Sequence, residues 1–281
     1  MNNESRIEAA PRYTVLKGGK PDPKTLVTDR AVFKEAYAFI PKRASKDITC
    51  NYFPHWEATR GWVLARPMSG FAETFSQVAM EVGPGGGSDR PEDDPNAEAV
   101  IFVMQGSGIV SYDGNSQRLT PGSYAYLPPG MPWSFRNLDS EPVYFHWIRK
   151  HYQRVEGVET PPPFVTNEQM ITPEIMAESR GLWKTTRFVD PSDLRHDMHV
   201  NIVTFEAGGT IPFAETHVME HGIYVLEGKA VYRLNDDWIE VEAGDFMWLR
   251  AFCPQACYEG GPERFRYLLY KDVNRQMPLT L

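Results

Sequence analysis

Between residues 215 and 221 the chain sets one carboxylate and two imidazoles close together, in Glu215-Thr-His217-Val-Met-Glu-His221. Gly209 stands six residues before this stretch and Gly228 seven residues after it, and Gly244 is followed eleven residues later by Gln255. On an extended strand residues 215 and 217 face the same side of the sheet. Carboxylate and imidazole donors suit a borderline-to-hard divalent ion such as Mn²⁺ or Fe²⁺. An ion held with open positions supplies Lewis-acid chemistry to water or a chelating substrate. The spacing outlines a metal cup on a small β-barrel.

Such a cup needs strands to carry it. Glycine and proline number 22 and 23, and they punctuate short runs rich in Val, Ile, Phe, Tyr and Trp, which is how an all-β domain reads. The runs are Ala99–Met104, Tyr124–Leu127, Val143–Ile148, Ile223–Leu226, Phe246–Leu249 and Phe265–Tyr270. They fall into an internal repeat. Val-Met-Gln-Gly106-Ser-Gly-Ile-Val matches Val-Leu-Glu-Gly228-Lys-Ala-Val-Tyr, and sixteen residues beyond each glycine Gly122-Ser-Tyr-Ala-Tyr-Leu matches Gly244-Asp-Phe-Met-Trp-Leu. Two copies of one barrel are expected. Residues 1–155 form the first, taken as metal-free, and 156–281 a linker and the second, joined through the proline-rich Val155–Pro163. A helix is expected from Asn167 to Ser179 with Thr166 as its cap, and Gly83–Asn96 as a flexible excursion.

Composition excludes several partners. A formal net charge of -8 argues against nucleic acid and anionic membrane surfaces. No apolar run approaches a membrane span, and residues 1–13 lack the apolar core of a secretory signal. Cys50, Cys253 and Cys257 are an odd set without metal-finger spacing, read as small buried residues in a reducing cytoplasm. Exposed sheet edges and an aromatic-rich first copy suggest a homo-oligomer.

The framing of these residues resembles the cupin superfamily, whose tandem double-stranded β-helix (jelly-roll) barrels carry two ligand motifs. The first motif lands on Gly209, Glu215, His217, His221 and Gly228 without a gap; the second, from Gly244, puts Gln255 in its ligand slot. The resemblance implies Glu215, His217, His221 and Gln255 as ligands, where a typical cupin has His, His, Glu and His. An octahedral ion on these four keeps two positions open. In the first copy the corresponding slots hold Asp93, Pro95, Ala99 and Trp133, so the framing persists without the ligands, although an acid from Asp89 to Asp94 stays open as an alternative. His199 is placed on a strand before the cup, where it could line it. His55, His146, His151 and His196 lack such framing.

This ligand set on a bicupin resembles the (S)-ureidoglycine aminohydrolase family. Its marks stand here as Glu215-Thr-His217-Val-Met-Glu-His221, Ala230-Val-Tyr232, Pro254-Gln255-Ala and Tyr267-Leu-Leu-Tyr-Lys271. Where that family carries Asn-x-His, this chain has His199-Val-Asn201. The resemblance implies a manganese-dependent hydrolase releasing ammonia from (S)-ureidoglycine to leave (S)-ureidoglycolate, in purine (allantoin) catabolism. Glu215 and Lys271 are implied as catalytic, and Tyr232, Tyr267 and Gln255 join them in holding a small ureido or amino acid. Two other readings stay open: a different metal enzyme on this scaffold, dioxygenase or isomerase, and a non-catalytic binding bicupin.

Overall fold

The apolar runs become antiparallel strands where the sequence predicts them: Ala97–Gln105, Ser123–Leu127, Val143–His151, His221–Glu227, Phe246–Leu249 and Phe265–Asp272. They are seen in a computed structural model that describes residues 13–16, 31–44, 49–50, 53–67 and 71–273. The fold is all-β, built as two barrels from the repeated unit. The hairpin Gly108–Tyr112 and Asn115–Leu119 has its counterpart in Lys229–Leu234 and Asp237–Glu242, and Trp133–Arg136 corresponds to Gln255–Glu259. The repeated glycines have a steric cause. Gly106 and Gly228 sit at φ +75° and +79°, and a Cβ there would stand 2.4 Å from the Pro142 carbonyl and 2.3 Å from that of Arg264, so no side chain fits. Among the described residues no helix is long and apolar enough to cross a membrane.

A ten-stranded sheet makes the first barrel, and Trp56, Trp133, Trp147, Phe135 and Phe145 fill its interior. The second barrel is an eight-stranded sheet facing a four-stranded one across a separate core that includes Val203, Ile223, Tyr232, Leu249 and Tyr267. The eight-stranded sheet is buried on its other face too. Val200, Ile202, Tyr224, Leu268 and Tyr270 pack there against Phe75, Ala79, Val100, Phe102 and Tyr124 of the first half. Strand alternation divides the work: along Phe265–Asp272, Tyr267 points into the second barrel while Leu268 and Tyr270 point between the barrels. Two exchanges bind the halves further. Tyr37–Ile40 pairs with Phe246–Leu249 of the second barrel, and Phe164–Asn167 pairs with Ser123–Leu127 of the first.

Two sequence expectations need correction. The helix expected over 167–179 is only a 3₁₀ turn, Glu168–Met170, capped by Asn167, whose side chain accepts from the Gln169 amide at 3.0 Å. Thr166 lies instead in a strand opposite Tyr124, and Pro173 disfavours helix at the residue before it. The excursion expected over 83–96 begins later, because Phe75–Ser88 runs through the glycines as one strand. Gly87 makes this possible: it pairs with Arg136, and a Cβ there would meet the Phe135 carbonyl at 2.1 Å. The remaining loop is pinned by ion pairs of Arg136 with Asp89, Arg149 with Glu92 and His55 with Asp93. Cys253 and Cys257 are buried free thiols; the side chain of Cys50 and residues 1–12 lie outside the described residues.

Phe75 is fully buried and stacks on Tyr270 with ring centroids 3.9 Å apart. Phe75→Ala should cost about 3–5 kcal/mol of stability in urea unfolding. A loss below about 1 kcal/mol would mean that the core between the barrels does not hold them together.

Candidate active site and metal centre

Strand pairing in the second barrel assembles the predicted residues from both of its sheets. Glu215 ends the strand Thr210–Glu215 and pairs with Gln255, the first residue of Gln255–Glu259. His221 opens the strand His221–Glu227 in the facing sheet, so it approaches across the barrel, not from the strand next to Gln255. His217 is not on a strand with Glu215, as its spacing suggests. The strand stops at Glu215, and His217 sits in the following loop, where its carbonyl accepts the Phe252 amide at 2.6 Å.

The four side chains converge. His217 Nε2 and Gln255 Nε2 each lie 3.2 Å from Glu215 Oε1. The His217 and His221 rings are parallel to within 17°, with centroids 5.1 Å apart. His221 Nδ1 is 3.0 Å from the Met219 carbonyl, which fixes the tautomer and leaves Nε2 with the lone pair that an ion would need. Burial, with the neighbouring His217 second, pushes its pKa down to about 3, so the ring stays a neutral donor at ordinary pH. Tyr232 O–H donates to Gln255 Oε1 at 2.9 Å.

Among the described residues no three His, Cys, Asp or Glu side chains are gathered closely enough to enclose an ion as they stand. The donors nonetheless fit one chemically. Glu215 spends an oxygen on two neighbours that would be its fellow ligands, and a cation would replace those contacts. Gln255 would present its oxygen by turning its amide about the last bond. Tyr232, both donor and acceptor, can serve either face of that amide.

Next to the cup, Lys271 lies directly between His199 and His221 across three strands. Burial lowers its pKa, and the positive charge of Arg187 adds to that. Tyr232 is fully buried and Tyr267 nearly so, with rings 6.2 Å apart at 70°, and burial raises both phenols well above their ordinary range. They therefore act as neutral O–H groups.

Glu220 plays a part that its motif did not reveal. One residue before His221, it points the opposite way. It accepts the Glu73 and Thr74 amides at 2.6 and 2.8 Å and the indole N–H of Trp248, while its own amide donates to Asp272 at 2.6 Å. It thus ties a first-half segment to the rim of the second barrel. A cleft of about 820 Å³ opens there, bordered by Glu73, Thr74, Val218, Glu220 and Phe252. Arg187, which faces Asn201 across the sheet, had no sequence signal. The other histidines lie away from the cup: His146 is bonded to Gln77 between the barrels, His55 and His151 pair with Asp93 and Asp94, and His196 packs on Tyr126. Trp133, in the first copy's ligand slot, is part of the apolar filling of that barrel.

Comparisons with known proteins bear on the family and the fold. The cupin domain matches residues 78–149 and 201–270, one stretch in each barrel. The chain is 31% identical to the (S)-ureidoglycine aminohydrolase of Arabidopsis thaliana over 88% of its own length and 78% of the relative's. It is 29% identical to the enzyme of that name from Escherichia coli K12, over 90% of this chain and 95% of that one. A crystal structure of a glyoxylate-induced protein from Pseudomonas aeruginosa superposes with a TM-score of 0.89 at 63% identity, covering 96% of this chain and 99% of that chain.

Removing the Tyr232 hydroxyl should loosen the cup without emptying the core. Tyr232→Phe is expected to lower affinity for Mn²⁺ about tenfold in chelator competition. Unchanged affinity would leave Tyr232 as packing alone.

Proposed function

The chain belongs to the cupin family and, within it, to the (S)-ureidoglycine aminohydrolases, and on that footing we propose that it hydrolyses (S)-ureidoglycine to (S)-ureidoglycolate and ammonia. It is an enzyme of that type, a hydrolase acting on a C–N bond. In the proposed reaction the bond from the α-carbon to the amine breaks and a bond from that carbon to the oxygen of water forms; the product keeps the (S) descriptor through inversion at that carbon, because the new hydroxyl outranks the ureido nitrogen that outranked the amine. The observation that carries the reading is the convergence of Glu215, His217, His221 and Gln255 beside Lys271 at one end of a barrel.

Those four residues hold one divalent ion, manganese in this proposal, which supplies a Lewis acid to a chelating substrate when bound. The residues of the chain do the rest. Lys271 pairs with the substrate carboxylate as a point charge. Its partly desolvated ammonium makes that contact stronger than one in water. Tyr232 and Tyr267, held neutral by burial, donate hydrogen bonds that fix the substrate's handedness. Glu215 is both ligand and proton carrier, because a carboxylate can change its attachment while it moves a proton toward the departing amine. The setting proposed is a homo-oligomer in the cytoplasm, in allantoin and purine catabolism.

The test is ammonia release from freshly generated ureidoglycine, with and without added Mn²⁺, following the enantiomer of the product because the substrate also decays spontaneously. Metal-stimulated release with only (S)-ureidoglycolate formed is the expected result; release equal to the uncatalysed rate would overturn the proposal. Lys271→Met should lower kcat/KM by about 10–100-fold. Glu215→Gln should lose turnover, and a variant that keeps both metal and near-normal turnover would rule out the proton-carrying role.

A further inference from the structure

Asn201 sits in the wall of the second barrel, on the strand Met198–Phe205, with Arg187 opposite it on one side and Leu269 on the other. Two residues earlier on the same strand His199 opposes Lys271, which in turn opposes His221. Residues two apart share a face, so Asn201 projects from the same wall as Lys271 and His221, one step farther along, roughly 7 Å by strand rise.

The side chain is 1% exposed, and its Oδ1 has no hydrogen-bond partner. No group in its row donates to it. Leu269 and, beyond it, Ile223 are apolar, and Arg187 gives its Nε to Glu174 at 2.6 Å. A buried acceptor left without a donor is costly, and native proteins rarely leave one so. Where such an atom shares a barrel wall with a buried lysine beside a candidate metal cup, a ligand with an N–H group supplies what is missing.

We propose that Asn201 Oδ1 accepts a hydrogen bond from the ureido N–H of the substrate whose carboxylate pairs with Lys271, so that Asn201 is a specificity-determining residue for the ureido end. The inference rests on the ureido-acid reading above and names the atom that recognises the group. The amide oxygen admits a donor at that end of the substrate and disfavours an analogue with nothing to donate.

Two stable probes separate this contact from catalysis. N-carbamoylglycine is a ureido acid without the departing amine, and glycolate is a small carboxylate without a ureido group. Both are titrated by calorimetry into Mn²⁺-loaded wild type and Asn201→Leu. Affinity for N-carbamoylglycine should fall about tenfold while that for glycolate stays within about twofold. The thermal midpoint should not fall, since an unmatched buried acceptor has become an apolar group of similar size. Should the leucine variant fail to fold, Asn201→Ala carries the same prediction for the two probes. Equal losses for both, no loss for either, or a wild type that does not bind N-carbamoylglycine would overturn the inference. A wild type that binds it through Asn201 yet releases no ammonia from ureidoglycine would overturn the catalytic reading and leave this contact standing.

Discussion

The eight-stranded sheet is buried on both faces, and the alternation of its side chains ties the stability of the molecule to its chemistry. In Phe265–Asp272, Tyr270 stacks on Phe75 between the barrels while its neighbour Lys271 reaches into the cup. In the segment before His221–Glu227, Glu220 clasps the first-half amides of Glu73 and Thr74, and the next residue, His221, faces the other way. A slip of one residue in either strand would exchange the groups packed between the barrels for the polar groups of the cup. The first barrel therefore does more than repeat the second, because it supplies the surface that holds this register in place.

The interior of the second barrel accepts polar groups that an apolar core would exclude, and each has a stated support. His221 is neutral through burial and oriented by the Met219 carbonyl. Gln255 is held by Tyr232. Glu215 is matched by the imidazole of His217 and the amide of Gln255. Lys271 and Asn201 are the groups whose partners are incomplete, and both lie on the wall next to the cup. A site is expected to look like this when its own residues satisfy the ligands and leave the substrate contacts open.

Much of this was legible in the sequence because it depends on local spacing. The repeat between Gly106 and Gly228 reflects two turns where only glycine fits, and the runs of Val, Ile, Phe and Tyr mark strands buried on both faces. The spacing from Glu215 to His221 also marked side chains that the fold gathers at one end of the second barrel. What the spacing could not convey was long-range pairing. Tyr37–Ile40 joins the second barrel's sheet from the far end of the chain, and Gln255 and His221 come from facing sheets. The expectation of a helix after Thr166 followed apparent helical periodicity and a capping threonine and underweighted Pro173. The glycines of residues 83–88 read as a loop, though their lack of side chains is what lets that strand approach Trp133–Arg136. Glu220 was passed over because its role lies with residues some 150 positions away.

The central claim is that Glu215, His217, His221 and Gln255 share one divalent ion. Anomalous diffraction at the manganese edge from crystals grown with Mn²⁺ tests it most directly. The account predicts a single strong peak within coordination distance of a Glu215 oxygen, a nitrogen of His217, Nε2 of His221 and the amide oxygen of Gln255. A peak elsewhere, such as among Asp89 to Asp94, with Glu215 still bonded to His217 and Gln255, would contradict it.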